Sequence, residues 1–412
     1  MSKRGYRYMC RCVAVSVALE SGTIAGRSQP VTRRRIAALV AISTALWVYL
    51  GLFLTVRHNY GSNWTAMYRT GSAVGIPRAL ANEGIYEFAG SCGFDGQFYH
   101  YMTHDPLLRR GLDSQIDAPR YRYRRILIPG LAAALAFGRD EFVHAAYIAV
   151  LIGFIALGAY WLAYVCAELG KSPLWGFGFA LVPATVFSAE RMTVDAGAVA
   201  LYAGFAYYLR KGSNAGLFAV AAAAALVRET GSLIAIALVI DSLLRRQYRR
   251  ASFFAASLVP ILAWTAYVHA RTAPYDLPLT FIPFYSLWQA ALRPGALEHP
   301  AVFLSTALNL IALGGTWMGF VMAFLLVRKT GPGPLQISCG LLALLGACVL
   351  STPDWHQVYD YGRVFSPLAL LLALEAVRLG WRAALFPLAS TLPRTFLQLA
   401  PGVLGVWRGL TR

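Results

Sequence analysis

The chain has 412 residues, of which 58% are hydrophobic and 14% charged, whereas soluble domains carry about 25% charged residues. No soluble fold of this length could bury so much apolar surface, so the composition excludes an ordinary soluble protein and predicts an all-α, polytopic transmembrane helix bundle. The net charge of +18 would suit nucleic acid only on a soluble basic domain. Here Lys and Arg form short clusters between apolar runs, so we expect membrane lipids and no nucleic acid as partners.

Residues 1–35 form a basic N-terminal region that ends in Arg33-Arg34-Arg35. The apolar stretch 36–56 follows directly and is long enough for a transmembrane helix, which needs about 20 residues. Because cytoplasmic flanks are basic, the N-terminus is predicted to be cytoplasmic in a multi-pass protein of the cell inner (plasma) membrane. A cleaved signal peptide is not expected, since this apolar stretch is too long and begins too far along the chain.

Residues 36–382 are predicted to form the bundle, with about 9–11 spans in all. Basic clusters mark its cytoplasmic returns, at Lys171, Arg210-Lys211, Arg245 to Arg250, Arg328-Lys329, and Arg378 with Arg382. The apolar segments between them cover 141–167, 174–189, 194–210, 215–227, 230–244, 251–270, 301–327, 334–351 and 364–378.

Three parts of the chain leave the span count open. Segment 126–137 is too short to cross and is predicted to be a half-membrane or interfacial helix on the outer face. The pair 215–227 and 230–244 is short for two full spans. The tail 383–412, interrupted by three prolines, is either a final span or an interfacial helix.

The long polar stretch 57–125 lies outside by this topology and carries the most informative motif, Gly93 to Tyr99. The Asp95-Gly96 pair predicts a glycine-flanked turn. A carboxylate on such a turn, beside the Gln97 amide and aromatic rings, suits a site for sugar hydroxyls. His100 and His104 have a spacing that could bind a metal on a helix, but no acid stands at a matching spacing, so no metal site is predicted.

Other joints between apolar segments on the outer face repeat a pattern of arginines with acids. Ionisable residues at membrane depth are costly and usually face a cavity or a partner. Each alone could be a loop-end charge, but their repetition favours a shared site. Arg191 and Asp195 stand four residues apart, which predicts an ion pair on one helix face. The remaining members are Arg124, Arg125, Glu190, Arg228, Glu229, His356 and Arg363.

Several short motifs resemble those of a bacterial group of multi-span proteins similar to GT-C-fold glycosyltransferases. The similarity extends from about Ile36 to Pro367. The motifs are Phe94–Tyr99, Asp105–Leu107, Tyr121–Leu127, Arg191–Asp195, Arg228–Gly231 and Gly362–Pro367.

The resemblance implies a GT-C-like bundle that transfers a sugar from a polyprenyl-phosphate donor to a lipid or glycan acceptor on the outer side of the membrane. It implies that a carboxylate of the first outer loop is the general base, which here would be the catalytic Asp95. Arginines would hold the donor phosphate, with Arg191, Arg228 and Arg363 as candidates. The full set of expected substrate-binding residues is Gln97, Tyr99, Arg124, Arg125, Glu190, Arg191, Asp195, Arg228, Glu229, His356 and Arg363.

The sequence departs from the metal-using members of that group. Their paired acids, Asp-x-Asp or Glu-x-Asp, are replaced by Asp95-Gly96-Gln97. We therefore expect no cofactor and a metal-independent reaction, without excluding a divalent cation. The alternative function is a transporter or lipid flippase with an outer-facing charged cavity, which predicts midplane charges and internal repeats. The sequence instead concentrates its charges at one face, and we detect no repeat.

The predicted topology can be tested by cysteine labelling of intact cells. A cysteine introduced near Asp113 should react with a membrane-impermeant maleimide, whereas one introduced near Arg246 should react only after the membrane is opened, because the basic loop is cytoplasmic. The reverse pattern would contradict both the topology and an outer-leaflet site.

Overall fold

The structure is a computed structural model, and it describes residues 30–275, 282, 284–292, 300–348, 355 and 358–411. Over these residues the chain is all-α, as the composition predicts. The exception is a minimal parallel pair of strands, β1 (Thr70–Gly71) and β2 (Glu87–Phe88). Both strands lie in the polar stretch after the first long helix, where they bring two loop segments together.

The α-helices are, in chain order, α1 (Pro30–Asn59), α2 (Asp95–His104), α3 (Pro119–Arg122), α4 (Leu127–Leu135), α5 (Val143–Glu168), α6 (Pro183–Arg191), α7 (Asp195–Lys211), α8 (Asn214–Val227), α9 (Ser232–Leu244), α10 (Tyr248–Ala255), α11 (Val259–His269), α12 (Tyr285–Leu292), α13 (Pro300–Thr330), α14 (Pro334–Cys348), α15 (Val358–Leu379), α16 (Phe386–Ala389) and α17 (Leu392–Leu410). Short 3-10 helices cover Trp64–Tyr68, Arg78–Glu83, Leu112–Gln115, Asp140–Phe142, Pro173–Leu181, Glu229–Gly231, Ala256–Leu258 and Arg382–Leu385.

Some of the long helices have the length and apolarity to cross a membrane. Four such stretches occur in the described part of the chain, namely Val31–Asn59, Asp140–Glu168, Tyr248–His269 and Phe303–Thr330. The first of them presents large apolar side chains outward, since Leu46 is 64% and Trp47 72% exposed. Such a surface is typical of contact with lipid or with another apolar face. The higher count of about 9–11 spans stays a prediction, because α8 and α14 are apolar but shorter.

The centre of the protein is formed by α5 and α7, which pack along each other. Small residues make the close approach possible: a side chain added at Gly204 would meet the Trp161 ring at 2.9 Å. Nearly all of α7 is buried, including its first residue, Asp195. The core therefore places a carboxylate at one end of its most central helix.

One predicted segment is divided in the structure, and two others form helices. Segment 174–189 is not one helix but a 3-10 helix, Pro173–Leu181, followed by α6, because Val182 precedes Pro183 and takes an extended conformation. Segment 126–137 forms the short helix α4, as its length predicts. The tail contains α17, which packs on α1 and accepts a hydrogen bond from Asn59 at the Gly402 carbonyl, 3.0 Å away. Its place relative to a membrane stays a prediction.

The turn predicted at Asp95 is wrong, because Asp95 and Gly96 form the first turn of α2. The chain reverses just before them, at Gly93, which has a positive φ of 73°. An acid is favourable at a helix N-terminus, which explains the helical start. Gly96 is needed for another reason: a Cβ there would lie 2.1 Å from the Arg191 carbonyl oxygen and 2.8 Å from that of Tyr68.

Replacing Gly96 by Ala should therefore push α2 away from the end of α6 and lower the melting temperature of the detergent-solubilised protein. The matched control is Gly153→Ala in α5, where an added Cβ meets nothing within 4 Å. Removing a helical glycine there should be neutral or stabilise by up to about 1 kcal/mol. Equal melting temperatures for the two variants would contradict the close approach at Gly96.

Candidate functional site

Asp95 lies between two arginines from distant parts of the chain. Its Oδ1 is 3.1 Å from Arg122 Nη1, and its Oδ2 is 2.6 Å from Arg363 Nη1. Arg122 comes from the short helix α3 and Arg363 from the first turns of α15. The carboxylate is only 17% exposed, so these two guanidinium groups provide much of its solvation.

A second carboxylate joins Arg363 to a further arginine. Asp195 at the start of α7 forms a close ion pair with Arg228 and lies 3.5 Å from Arg363 Nη1 through its Oδ2. The Asp195 side chain is 1% exposed. Asp95, Arg363, Asp195 and Arg228 therefore form one continuous chain of alternating charges, which we call the ion-pair network.

Arg125 and Glu229 lie beside this network. Arg125 contacts both Glu229 oxygens at 3.2 Å through Nε and donates to the Tyr99 hydroxyl at 3.1 Å and to Tyr121. Although Arg228 and Glu229 are neighbours in sequence, they pair with different partners. The extended backbone of Arg228 turns the two side chains apart.

Arg191 is held mainly by aromatic rings. Its guanidinium lies 3.7 Å from the Phe94 ring centroid and 4.3 Å from that of Tyr359, and its Nε is 3.7 Å from Glu190. The predicted Arg191–Asp195 pair on one helix face is wrong. The helix breaks at Met192, which has a left-handed φ of 49°, so the two residues belong to different helices.

The charges decide the protonation of the carboxyl groups. Burial disfavours the ionised form of Asp95, but the positive charges of Arg363, Arg122 and Arg125 outweigh it and hold the pKa of this carboxyl well below its ordinary value. Burial likewise opposes ionisation of Glu229, while Arg125 and Arg228 lower its pKa. Both groups are therefore negatively charged at neutral pH.

Other predicted site residues lie apart from the ion-pair network or form hydrogen bonds within the polar segment 57–125. Gln97 is fully buried and bonds backbone on both sides, accepting from Gly71 N at 3.2 Å and donating to the Cys92 carbonyl at 2.9 Å. Arg124 points elsewhere, with Nη2 2.9 Å from His269 Nε2. Glu190 pairs with Arg69 at 3.4 Å. His356 lies outside the described residues.

Sequence reasoning did not assign Arg122 or Tyr359 to the site. Arg122 lies in the same Tyr-Arg-Tyr-Arg-Arg run as Arg124 and Arg125. The run indicated that arginines reach the site, but not which of them contacts Asp95. Tyr359 stands one helical turn before Arg363 and contacts its guanidinium, with 3.2 Å between the hydroxyl and Nη1. That i, i+4 spacing was the available signal.

The arrangement is suited to an anion rather than to a metal ion. The Asp95 and Asp195 oxygens are already taken by arginines, which repel a cation. Among the described residues, the side chains close enough to share a metal are Glu83, His100 and His104, further along α2.

Comparison with known proteins returns no matching family model, no matching curated protein and no matching solved structure. A functional assignment therefore depends on the geometry of the site.

The ion-pair network predicts a large cost for removing Asp195. In Asp195→Asn, Arg228 and Arg363 keep buried charges with a missing partner, which should destabilise the protein by about 3–5 kcal/mol. The control is Asp241→Asn, whose partner Arg245 is 53% exposed and can be solvated by water, so it should cost at most about 1 kcal/mol. Thermal unfolding in detergent measures both, and an equally mild effect of the two would contradict a structural role for the network.

Proposed function

We propose that the protein is a membrane glycosyltransferase that moves a sugar from a polyprenyl-phosphate donor to an acceptor on the outer side of the membrane. The observation that carries the proposal is the position of Asp95, a carboxylate held directly against Arg363 and Arg122. A proton acceptor beside phosphate-binding groups is what such a transfer requires.

The arginines are suited to the phosphate of the donor. A guanidinium stays charged near lipid and can bind two phosphate oxygens at once through its planar fork. Arg363 is the best placed, because it already contacts Asp95 and Asp195, and Arg228 follows on the other side of Asp195. Arg191, stacked against Phe94 and Tyr359, is a third candidate.

The resting ion pairs make Asp95 a weak base, since a general base works best when its pKa is near the operating pH. A bound phosphate competes with Asp95 for Arg363. When the guanidinium moves towards the phosphate, Asp95 loses its closest positive charge and its pKa rises. Donor binding would in this way activate the base only when a sugar is in place.

The proposed transfer needs only Asp95 as the proton acceptor and the arginines as groups that stabilise the leaving phosphate. The acceptor hydroxyl gives its proton to Asp95 while its oxygen forms a bond to the anomeric carbon. The bond from that carbon to the phosphate oxygen breaks, and its electron pair stays on the departing polyprenyl phosphate, whose added charge the arginines stabilise. Attack opposite to the leaving group inverts the anomeric configuration.

A largely apolar cavity supports a lipid-linked donor. It measures about 550 Å³, and its walls include Ile126, Leu226 and Trp264, with His104, Arg110 and Asp140 also in its lining. A branched, apolar polyprenyl chain matches the apolar walls. Ile126 directly follows Arg125 in the chain, which connects this cavity to the charged region.

The proposal is tested by Asp95→Asn, which keeps the size of the side chain but removes the proton acceptor. Turnover should fall about 10²- to 10⁴-fold. Donor binding should be retained or become tighter, because the Asp95 carboxylate no longer competes with the phosphate for Arg363. The assay uses native membranes, which supply the acceptor, with a panel of polyprenyl-phosphate sugars, and follows the release of free polyprenyl phosphate.

The control is Asp105→Asn in the same outer segment. Asp105 accepts backbone hydrogen bonds from Arg109 and Arg110 at 2.7 and 2.8 Å, so its loss should lower stability but not the rate per folded molecule. A near-parental rate for Asp95→Asn would overturn the assignment of the base. Movement of the intact lipid-linked sugar across proteoliposomes, without cleavage, would favour the flippase alternative.

A further inference from the structure

A cluster of metal-ligating side chains lies at the other end of α2 from Asp95. His100 and His104 stand one turn apart with their Nε2 atoms 3.1 Å from each other. Glu83, at the end of the 3-10 helix Arg78–Glu83, places Oε2 3.5 Å from His100 Nε2 and Oε1 3.3 Å from His104 Nε2. The sequence alone showed the two histidines but not the acid that joins them.

We propose that Glu83, His100 and His104 form a structural binding site for a divalent transition-metal ion, with zinc as the best match. Zinc prefers imidazole nitrogen and carboxylate oxygen at 2.0–2.2 Å in a tetrahedron, which sets neighbouring ligand atoms about 3.3–3.5 Å apart. The observed separations of 3.1, 3.3 and 3.5 Å agree with that spacing before any ion is bound.

The surroundings of His104 prepare it as a ligand. Its Nδ1 is 2.8 Å from Asp140 Oδ1, and because a carboxylate only accepts, Nδ1 carries the proton. In the neutral ring the Nε2 atom then carries the lone pair, and it lies on the side of His100 and Glu83. A ligating histidine that donates its second nitrogen to a carboxylate is the usual arrangement around protein-bound zinc. Arg110 fixes Asp140 in turn, with contacts of 2.7 and 2.9 Å.

Without an ion the cluster is poorly satisfied. With a proton on its Nε2, His100 donates a hydrogen bond to His104 Nε2. Both Glu83 oxygens, however, are shielded from solvent and accept no well-formed hydrogen bond from the described residues. Leaving a buried carboxylate in this state is costly. His100 Nδ1 also has no hydrogen-bond partner among those residues, whichever ring nitrogen carries the proton. A dication would satisfy Glu83 and both Nε2 lone pairs at once.

An aromatic ring and a third histidine surround the cluster. The His100 ring stacks on Tyr68, with 4.3 Å between centroids and 12° between planes. His144 of α5 lies beside the cluster, its Nε2 3.7 Å from Glu83 Oε2, so this imidazole or a water molecule can complete the tetrahedron.

The ion would act on structure and not on the transferred sugar. His100 and His104 follow Asp95 by five and nine residues, which separates them from it by about 7.5 and 13.5 Å along the helix axis. The site joins the 3-10 helix Arg78–Glu83 to α2 and, through Asp140, to the start of α5. Zinc would therefore fasten the outer segment that carries Asp95 to the helical core.

The experiment measures zinc in the full-length protein, purified in detergent without a histidine tag and equilibrated with zinc. The parent should retain stoichiometric zinc, and cobalt substitution should give the strong visible absorption of a tetrahedral site. Glu83→Gln and His104→Ala should lose the metal. Asp140→Asn keeps all three ligands and should bind it about 10- to 100-fold more weakly.

Two controls separate this site from other features of the chain. His58→Ala, at the end of α1, and Asp95→Asn should both retain stoichiometric zinc. Because a cluster variant may fold poorly, the parent itself is also treated with a chelator, which should lower its melting temperature, and added zinc should restore it. The proposal is overturned if the parent neither retains zinc nor changes its melting temperature, or if Glu83→Gln binds as much zinc as the parent.

Discussion

The carboxylate of Asp195 is almost completely removed from water, and an ionised group in that position is tolerated only with close, well-placed partners. Those partners come from the α8–α9 junction and from α15, so Arg228 and Arg363 must both reach the start of α7. This requirement constrains where three separate parts of the helical core meet. It also brings Arg363 to Asp95, so that the polar segment 57–125 is attached to the core through an ion pair.

The same contacts that stabilise the fold prepare the proposed reaction. Arginines that neutralise buried acids in the resting protein are the groups that would bind a phosphate, so no large rearrangement is needed to receive the donor. These arginines also lower the pKa of Asp95, which makes it a weak base. In the proposed reaction, Arg363 would leave the Asp95 carboxylate for the donor phosphate, so Asp95 would become more basic only when the substrate is bound.

Helix α2 has two ends with different tasks. Its N-terminus carries Asp95 and depends on the missing side chain of Gly96 to approach α6. Its C-terminal half carries His100 and His104, which face Glu83 and are backed by Asp140. A short helix in a long polar segment would move freely without attachments. Here it is held at one end by close packing and at the other by the histidine cluster.

Local properties of the chain were predictable from the sequence. The bounds of α7 and α9 agree closely with the predicted segments 194–210 and 230–244, because apolar runs ended by basic clusters or by Arg-acid pairs are signals within a few neighbouring residues. The all-α class and the concentration of acids and arginines at the joints follow from composition in the same way. Where a proline intervened, at Pro183, the prediction of one helix was wrong.

Pairings between distant residues were decided only by the tertiary structure. Arg191 and Asp195 have the spacing of a helical ion pair, yet Met192 breaks the helix and Asp195 pairs with residues 33 and 168 positions further along, Arg228 and Arg363. Glu83 joins two histidines that have no acid at a matching spacing in the sequence. The sequence by itself determined which residue types are present and which helices they begin or end. It could not determine their partners, because contacts across a folded core depend on how whole helices pack.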